Sequence, residues 1–366
     1  MLTFIMKPVS VLCNLRCDYC YNSNLWSKTK EEKKLKMDIR LLETFICQLS
    51  ELDENSFSFV WHGGEPLIAG INFYEAAVGF QARYLKGKQY LNSVQTNGTL
   101  IDQEWAAFFK KNAFKIGVSL DGPKKIHDQF RKIFNGSGSF ERVMKGIEVL
   151  KVNGFNPGII SVITKNAAKN VDAIWDFFVS SGLGRLNLSV CAEKENGKMA
   201  SFSITPLGYA SFMIRIFDCW MAKDDPDIKI QPLESYFQGL IGGRPTICHC
   251  ANECAAYLAL DYNGDLYLCG RFVGIDKFRI GNIMEKTLKS LLCSKKWKSL
   301  KGEIQASKKE CLSCEWANIC NGGCTYYRYI NGQLLSSLNY FCSATKKILR
   351  HMKSAIMELD HSLSTV

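Results

Sequence analysis

The sequence has no stretch of about 18 consecutive apolar residues, and its N-terminus has neither the apolar core nor the small-residue cleavage site of an export signal. A membrane span and a secreted, disulfide-stapled domain are therefore set aside, and a soluble cytoplasmic protein is expected. There is no internal repeat and no low-complexity tract, so neither a repeat array nor a long disordered linker is expected. A concentrated basic patch is also missing. Lysine and arginine outnumber aspartate and glutamate 46 to 35, for a net charge of +11, but they are spread along helical segments rather than gathered beside stacking aromatics. No nucleic-acid interface and no membrane partner are expected, and the charge suits a peptide with acidic segments.

What the sequence does have is cysteine. Sixteen in 366 residues, without an export signal, point to metal ligation rather than disulfides. Hydrophobic residues make up 47% of the chain, enough for one large domain and a smaller one.

Up to about Ser189, apolar runs alternate with amphipathic ones, the pattern of a parallel sheet covered by helices. The periodicity predicts strands at Thr3 to Pro8, Phe57 to Trp61, Leu91 to Thr96, Lys115 to Leu120, Ile159 to Ile163 and Arg185 to Ser189. It predicts helices at Met37 to Leu52, Asp102 to Lys111, Ser139 to Asn153, Ala168 to Ser181 and Pro206 to Lys223. Six strand-helix units suggest an α/β fold built as an open, partial barrel over residues 1–231, with ligands at the carboxyl ends of the strands. From Pro232 the pattern breaks into short, glycine-rich and cysteine-rich pieces, so residues 232–366 read as a second domain. In it, Ala256 to Cys269 reads as a hairpin with Asn263-Gly264 as a two-residue turn, and Ala344 to Leu359 as a terminal helix.

Cys13, Cys17 and Cys20 follow the first strand at C-x3-C-x2-C spacing, so three thiolates can converge from one loop on a cubane cluster. Three thiolates on four irons leave one iron open for a ligand. A zinc site is the alternative, but no His or Cys follows Cys20 until Cys47. Gly63-Gly64-Glu65-Pro66 ends the second predicted strand, where glycines permit close backbone approach to a ligand and Glu65 can accept from an ammonium group. Thr96-Asn97-Gly98 and Ser119-Leu120-Asp121-Gly122 end the next two.

Together these motifs resemble the radical S-adenosylmethionine superfamily, in which a three-cysteine cluster cleaves the cofactor to a 5'-deoxyadenosyl radical that abstracts hydrogen from substrate. The resemblance implies that the cofactor's amino and carboxylate groups chelate the open iron and that Tyr19 packs on the adenine. It also implies that Gly63, Gly64 and Glu65 take the methionyl amino end, Ser119 reaches the ribose, Arg131 pairs the carboxylate and Ala192 contacts the adenine through its backbone. Arg131 suits its role because a guanidinium offers a planar fork to a carboxylate, the alternative being a solvated helix-surface arginine.

The second region carries Cys248, Cys254, Cys269, Cys311, Cys314, Cys320, Cys324 and Cys342. Their spacing resembles the SPASM extension of the anaerobic sulfatase-maturating enzymes, which hold two auxiliary four-iron clusters. The resemblance implies one cluster on Cys248, Cys254, Cys269 and Cys324 and another on Cys311, Cys314, Cys320 and Cys342, hence three [4Fe-4S] clusters plus S-adenosylmethionine. Two zinc knuckles are the alternative. Cys47, Cys191, Cys219, Cys250 and Cys293 are left over, most of them expected to be small buried hydrophobes, with Cys250 able to substitute as a ligand.

The resemblance fails at one position. In those enzymes an aspartate follows the third cysteine of the first auxiliary cluster and takes the proton from the substrate Ser or Cys. Here that position is Gly270, which cannot act as a base. A peptide maturase that cross-links a ribosomally made peptide is therefore the leading expectation. A sulfatase-maturating activity with a relocated base at Asp261, Asp265 or Asp276 is the second, and an iron-sulfur electron carrier is a third, of another class. The resemblance also implies a flavodoxin or ferredoxin as electron donor. With about a dozen residues before Cys13, a leader peptide, if the substrate has one, is expected to bind the enzyme's own surface or a separate partner.

Overall fold

A computed structural model describes residues 1–22, 35–195 and 197–364, with side chains to residue 358. The chain forms two compact units. The larger comprises residues 1–120, 127–157 and 255–302, and the smaller residues 121–126, 158–254 and 303–366.

In the larger unit β1 (Leu2–Lys7), β2 (Ser56–Trp61), β3 (Gln89–Thr96) and β4 (Lys115–Ser119) lie side by side, all parallel. In the smaller unit β5 (Gly158–Ile163) and β6 (Arg185–Val190) are parallel neighbours. All six strands agree with the sequence expectation to within two residues. A two-stranded ribbon, β7 (Lys194–Glu195) and β8 (Lys198–Met199), follows, and β9 (Lys229–Gln231) extends the parallel set beside β6. The hairpin of β10 (Tyr257–Asp261) and β11 (Asp265–Leu268) belongs to the larger unit. There β10 runs parallel to β1 with Lys7 opposite Asp261, and β12 (Arg279–Asn282) closes the edge antiparallel to β11.

The hairpin turn differs from expectation. Its loop has three residues, Tyr262 to Gly264, and of these only Gly264 has positive φ (88°). The Asn263 side chain instead accepts from the Asp265 amide at 3.1 Å, which fixes Asn263 in an ordinary conformation and leaves the left-handed one to glycine.

The larger unit's core is aromatic. Phe4 meets Phe45 of the helix Ile39–Ser50 edge to face at 5.0 Å, and Trp61 meets Tyr74 of the helix Ile71–Tyr84 at 5.2 Å. Each such ring buries enough area to contribute roughly 2 kcal/mol. Periodicity misses Ile71–Tyr84 because one of its inward positions is Gln81. That side chain exchanges two hydrogen bonds with Asn92, whose carbonyl also accepts from the Trp61 indole at 2.9 Å, so the buried polar group is satisfied. In the smaller unit the helix Pro206–Lys223, capped by Thr205 on the Gly208 amide, packs against the terminal helix Cys342–Ser364. No described helix is long and apolar enough to cross a membrane.

The end of β2 folds back on the segment after β1. Gly64 N–H donates to the Ser10 carbonyl and Glu65 N–H to that of Leu12, both at 2.8 Å. A Cβ on Gly64 would lie 2.0 Å from the Leu12 carbonyl oxygen, whereas one on Gly79, in the middle of Ile71–Tyr84, would meet open space. Gly64→Ala is therefore expected to destabilise by about 3 kcal/mol or more, the range of severe overpacking. Gly79→Ala should stabilise by about 0.5 kcal/mol through the unfolded chain. Urea denaturation midpoints of the two variants check the pair, and similar shifts would contradict this packing.

Candidate active site and cluster-binding cysteines

Cys13, Cys17 and Cys20 lie on the loop after β1, which is held as an antiparallel partner of residues 130–133. Arg16 N–H donates to Lys132 O at 2.7 Å and Asp18 N–H to Phe130 O at 3.0 Å, and Lys132 closes an ion pair to Asp18 at 2.8 Å. This pairing brings Arg131 to the loop. Its guanidinium sits 5.5 Å over the Tyr19 ring, and the residue is only 7% exposed, which removes the solvated-surface alternative. Ser139 fixes the turn by donating its hydroxyl to Arg131 O at 2.8 Å while hydrogen-bonding His127 Nε2 at 3.0 Å.

Burial pushes the Cys13 thiol up, and the negative charges of Glu65, Cys17 and Cys20 add to it, so the three sulfurs are close enough to feel one another. Glu65 is fully buried. Oε1 accepts from the Leu67 amide at 3.0 Å and Thr96 Oγ1 at 2.8 Å, and Oε2 from the Asn97 amide at 2.7 Å. Burial raises its carboxyl to about 7 against the pull of these hydrogen bonds. Glu65 thus joins the ends of β2 and β3 as well as facing the cysteine loop. Asn97 continues the link, donating to Asn14 Oδ1 at 2.8 Å and approaching Cys13 Sγ at 3.7 Å. Ser119, at the end of β4, accepts from Gln95 Nε2 at 3.2 Å.

Sequence reasoning missed the polar cluster at the end of β1. Lys7 is 1% exposed and donates to Asn22 Oδ1 at 3.4 Å, and Asn22 in turn donates to Gly63 O at 3.3 Å. Burial lowers the Lys7 pKa, opposed by the charges of Asp261, Cys20 and Cys269. Asp261 accepts from Ser10 Oγ at 3.2 Å through Oδ2, while its buried Oδ1 finds no hydrogen-bond partner among the described residues. Arg271 lies 4.8 Å over the Tyr21 ring. His62 Nδ1 accepts from the Gly63 amide, and burial lowers its pKa to about 4, so the neutral imidazole is held with its proton on Nε2. The available signal was a lone lysine ending an otherwise apolar strand.

Cys269 follows β11 with φ 60°, a conformation that costs a non-glycine residue about 1–3 kcal/mol and persists only where something requires it. In the smaller unit a hydrogen bond from Cys248 pulls the Cys254 thiol down to about 6, and the Lys308 charge assists. Cys324 precedes the helix Thr325–Gly332, whose Tyr327 hydroxyl donates to Val190 O at 3.2 Å, just before the buried Ala192. Cys311, Cys314, Cys320 and Cys342 together line one pocket. Among the described residues no three His, Cys, Asp or Glu side chains stand close enough to hold a single metal ion.

Of the remaining cysteines, Cys191 and Cys250 are buried, Cys47 and Cys219 partly so, and Cys293 is exposed. Cys250 hydrogen-bonds Ser235, and burial raises its thiol.

Residues 8–177 match the model of the radical SAM superfamily, and residues 250–315 that of the SPASM iron-sulfur cluster-binding domain. The serine-type anaerobic sulfatase-maturating enzyme of Bacteroides thetaiotaomicron is 33% identical over 370 residues, covering 95% of this chain and 88% of the relative. The cysteine-type enzyme of Clostridium novyi is 32% identical over 99% of this chain and 98% of its own. The solved structure of native anSMEcpe with bound AdoMet and Cp18Cys peptide superimposes with a TM-score of 0.86 at 29% identity, covering 99% of both chains. With likeness of this order along nearly the whole of both chains, the protein belongs to the radical S-adenosylmethionine superfamily, in the SPASM-bearing family of the anaerobic sulfatase-maturating enzymes.

Proposed function

We propose that this protein is a radical maturase that removes two hydrogens from a residue of a ribosomally made peptide and joins the resulting carbon centre to a second carbon or a heteroatom. The observation that carries this reading is Gly270. A side chain there would point at Ile5, whose Cγ2 lies 3.2 Å from the ideal Cβ, so no carboxylate stands after Cys269 and the immediate neighbour is apolar.

When bound, the cluster on Cys13, Cys17 and Cys20 supplies the electron that splits S-adenosylmethionine into methionine and a 5'-deoxyadenosyl radical, and the two SPASM clusters supply electron acceptors. The chain's own residues hold the cofactor: Tyr19 against the adenine, Arg131 as the fork for the carboxylate, and Gly63, Gly64 and Glu65 around the amino group. Ser119 serves the ribose and Ala192 the adenine edge. The burial of Arg131 and its fixed turn support its part, because a pre-positioned guanidinium loses little freedom on pairing. Overall the substrate gives up two electrons and two protons, S-adenosylmethionine takes both electrons and one proton to become methionine and 5'-deoxyadenosine, and one proton is released. Residues 1–231 carry the radical chemistry in this reading and residues 232–366 the auxiliary clusters. A cytoplasmic flavodoxin or ferredoxin supplies the priming electron. With reconstituted protein, reductant and S-adenosylmethionine, mass spectrometry of a precursor peptide encoded beside the gene is expected to show the loss of two hydrogens. Unchanged masses for every neighbouring candidate would sink the proposal.

Oxidation of a substrate Ser or Cys to formylglycine is the second reading, supported by the relatives' identity along the whole chain and by one carboxylate. Asp265 is engaged by Arg279 at 2.7 Å and by Asn282, which hold its pKa down, and Asp276 is exposed. Asp261 differs. It is buried in register with Lys7, its buried Oδ1 has no hydrogen-bond partner among the described residues, and burial raises its pKa against the pull of Lys7, which strengthens it as a base. If this reading holds, Asp261→Asn should lower formylglycine formation on a sulfatase-derived peptide by about 100-fold or more, with 5'-deoxyadenosine still produced. Equal turnover by the variant and the parent would eliminate Asp261 as the base.

A further inference from the structure

The pocket formed by Cys311, Cys314, Cys320 and Cys342 contains a cation that no role above uses. Arg328, on the helix Thr325–Gly332, is 1% exposed. Its Nε donates to Gly322 O at 2.8 Å, its Nη1 to Ser307 O at 2.7 Å and Ser337 O at 3.0 Å, and its Nη2 to Cys311 Sγ at 3.0 Å. A Cβ on Gly322 would lie 2.5 Å from Nη2, so the first glycine of Asn321-Gly322-Gly323-Cys324 makes room for this side chain.

Three of the four acceptors are neutral carbonyls. They satisfy the geometry of the guanidinium but not its charge, and a buried arginine without a counter-charge costs several kcal/mol. The fourth acceptor is a sulfur at short range, a weak partner as a thiol and a strong one as a thiolate. We infer that Arg328 is a redox-positioning residue: its charge and its N–H bond to Cys311 are matched to a four-thiolate cluster on Cys311, Cys314, Cys320 and Cys342, and they raise that cluster's reduction potential. A cation held beside an anionic centre favours the state with one more electron, and hydrogen bonds to ligand sulfur act in the same direction. The inference rests on the cluster assignment above and not on the identity of the substrate.

The test is an EPR-monitored redox titration of the reconstituted full-length protein with Arg328→Met and Arg328→Lys. The Met variant is expected to retain its iron and to show one midpoint potential moved negative by at least a tenfold change in reduction equilibrium, about 59 mV for one electron. The Lys variant should stay within that interval of the parent. Retained iron with unmoved potentials in the Met variant would overturn the inference. If the Met variant loses iron, retention by the Lys variant supports the need for charge at this place, and loss by both overturns it by assigning Arg328 a purely shape-specific role. An unsubstituted protein without iron at these cysteines would defeat the cluster assignment and this inference together, whereas unmoved potentials would leave the assignment standing.

Discussion

The loop that carries Cys13, Cys17 and Cys20 keeps its shape because the backbone of Gly64 lies directly on that of Leu12 while the carboxylate next to it is bound from three directions. Glu65 takes hydrogen bonds from Leu67, Thr96 and Asn97, so one buried side chain ties the ends of two strands together. Removing it would strand three donors in a dry interior, each costing on the order of 1–3 kcal/mol. Asn97 and Asn14 carry the same network to the first cysteine. The placement of the thiols is therefore a consequence of strand-end packing, and the loop's own sequence supplies little of it.

Much of this was legible before the structure. The strands stand out because each is a short apolar run between turn residues, and the cysteines point to metal ligation because sixteen of them without an export signal have few other uses. Four things were hidden. The helix Ile71–Tyr84 buries Gln81, which breaks the apolar period. The pairing of β10 on β1 joins segments far apart in the chain, and no local pattern encodes a partner. Gly64 reads as a site of close approach to a ligand, and the close contact the structure shows is with the chain's own backbone at Leu12. Arg328 was hidden for a related reason: it follows Thr325-Tyr326-Tyr327 in a segment whose inward face depends on distant residues.

Gly270 acquires its meaning from its surroundings. The residue after Cys269 has no carboxylate and meets Ile5, while a cluster of polar groups is buried at the end of β1. Lys7, Asn22 and Arg271 lie near Cys20 or Tyr21, and Asp261 faces Lys7 and Ser10. Polar groups buried to this extent are costly to keep unless they bind something. Gly270 leaves this position without a base, so the identity of the oxidised product, rather than the capacity to make a radical, separates the two readings of function.

The same electrostatic logic recurs at each group of cysteines. Lys7 feels Cys20 and Cys269, Lys308 feels Cys254, Cys248 and Cys311, and Arg328 donates to Cys311 itself. Each is a buried cation whose burial is opposed by nothing but carboxylates, carbonyls and sulfur. With the sulfurs as neutral thiols these charges are poorly compensated, and with the sulfurs as thiolates they are paired. The cations and the thiolates therefore favour one another, while burial works against the charged form of both. Part of the excess of basic over acidic residues thus lies inside the protein, whereas a patch on the surface would have suggested a nucleic acid.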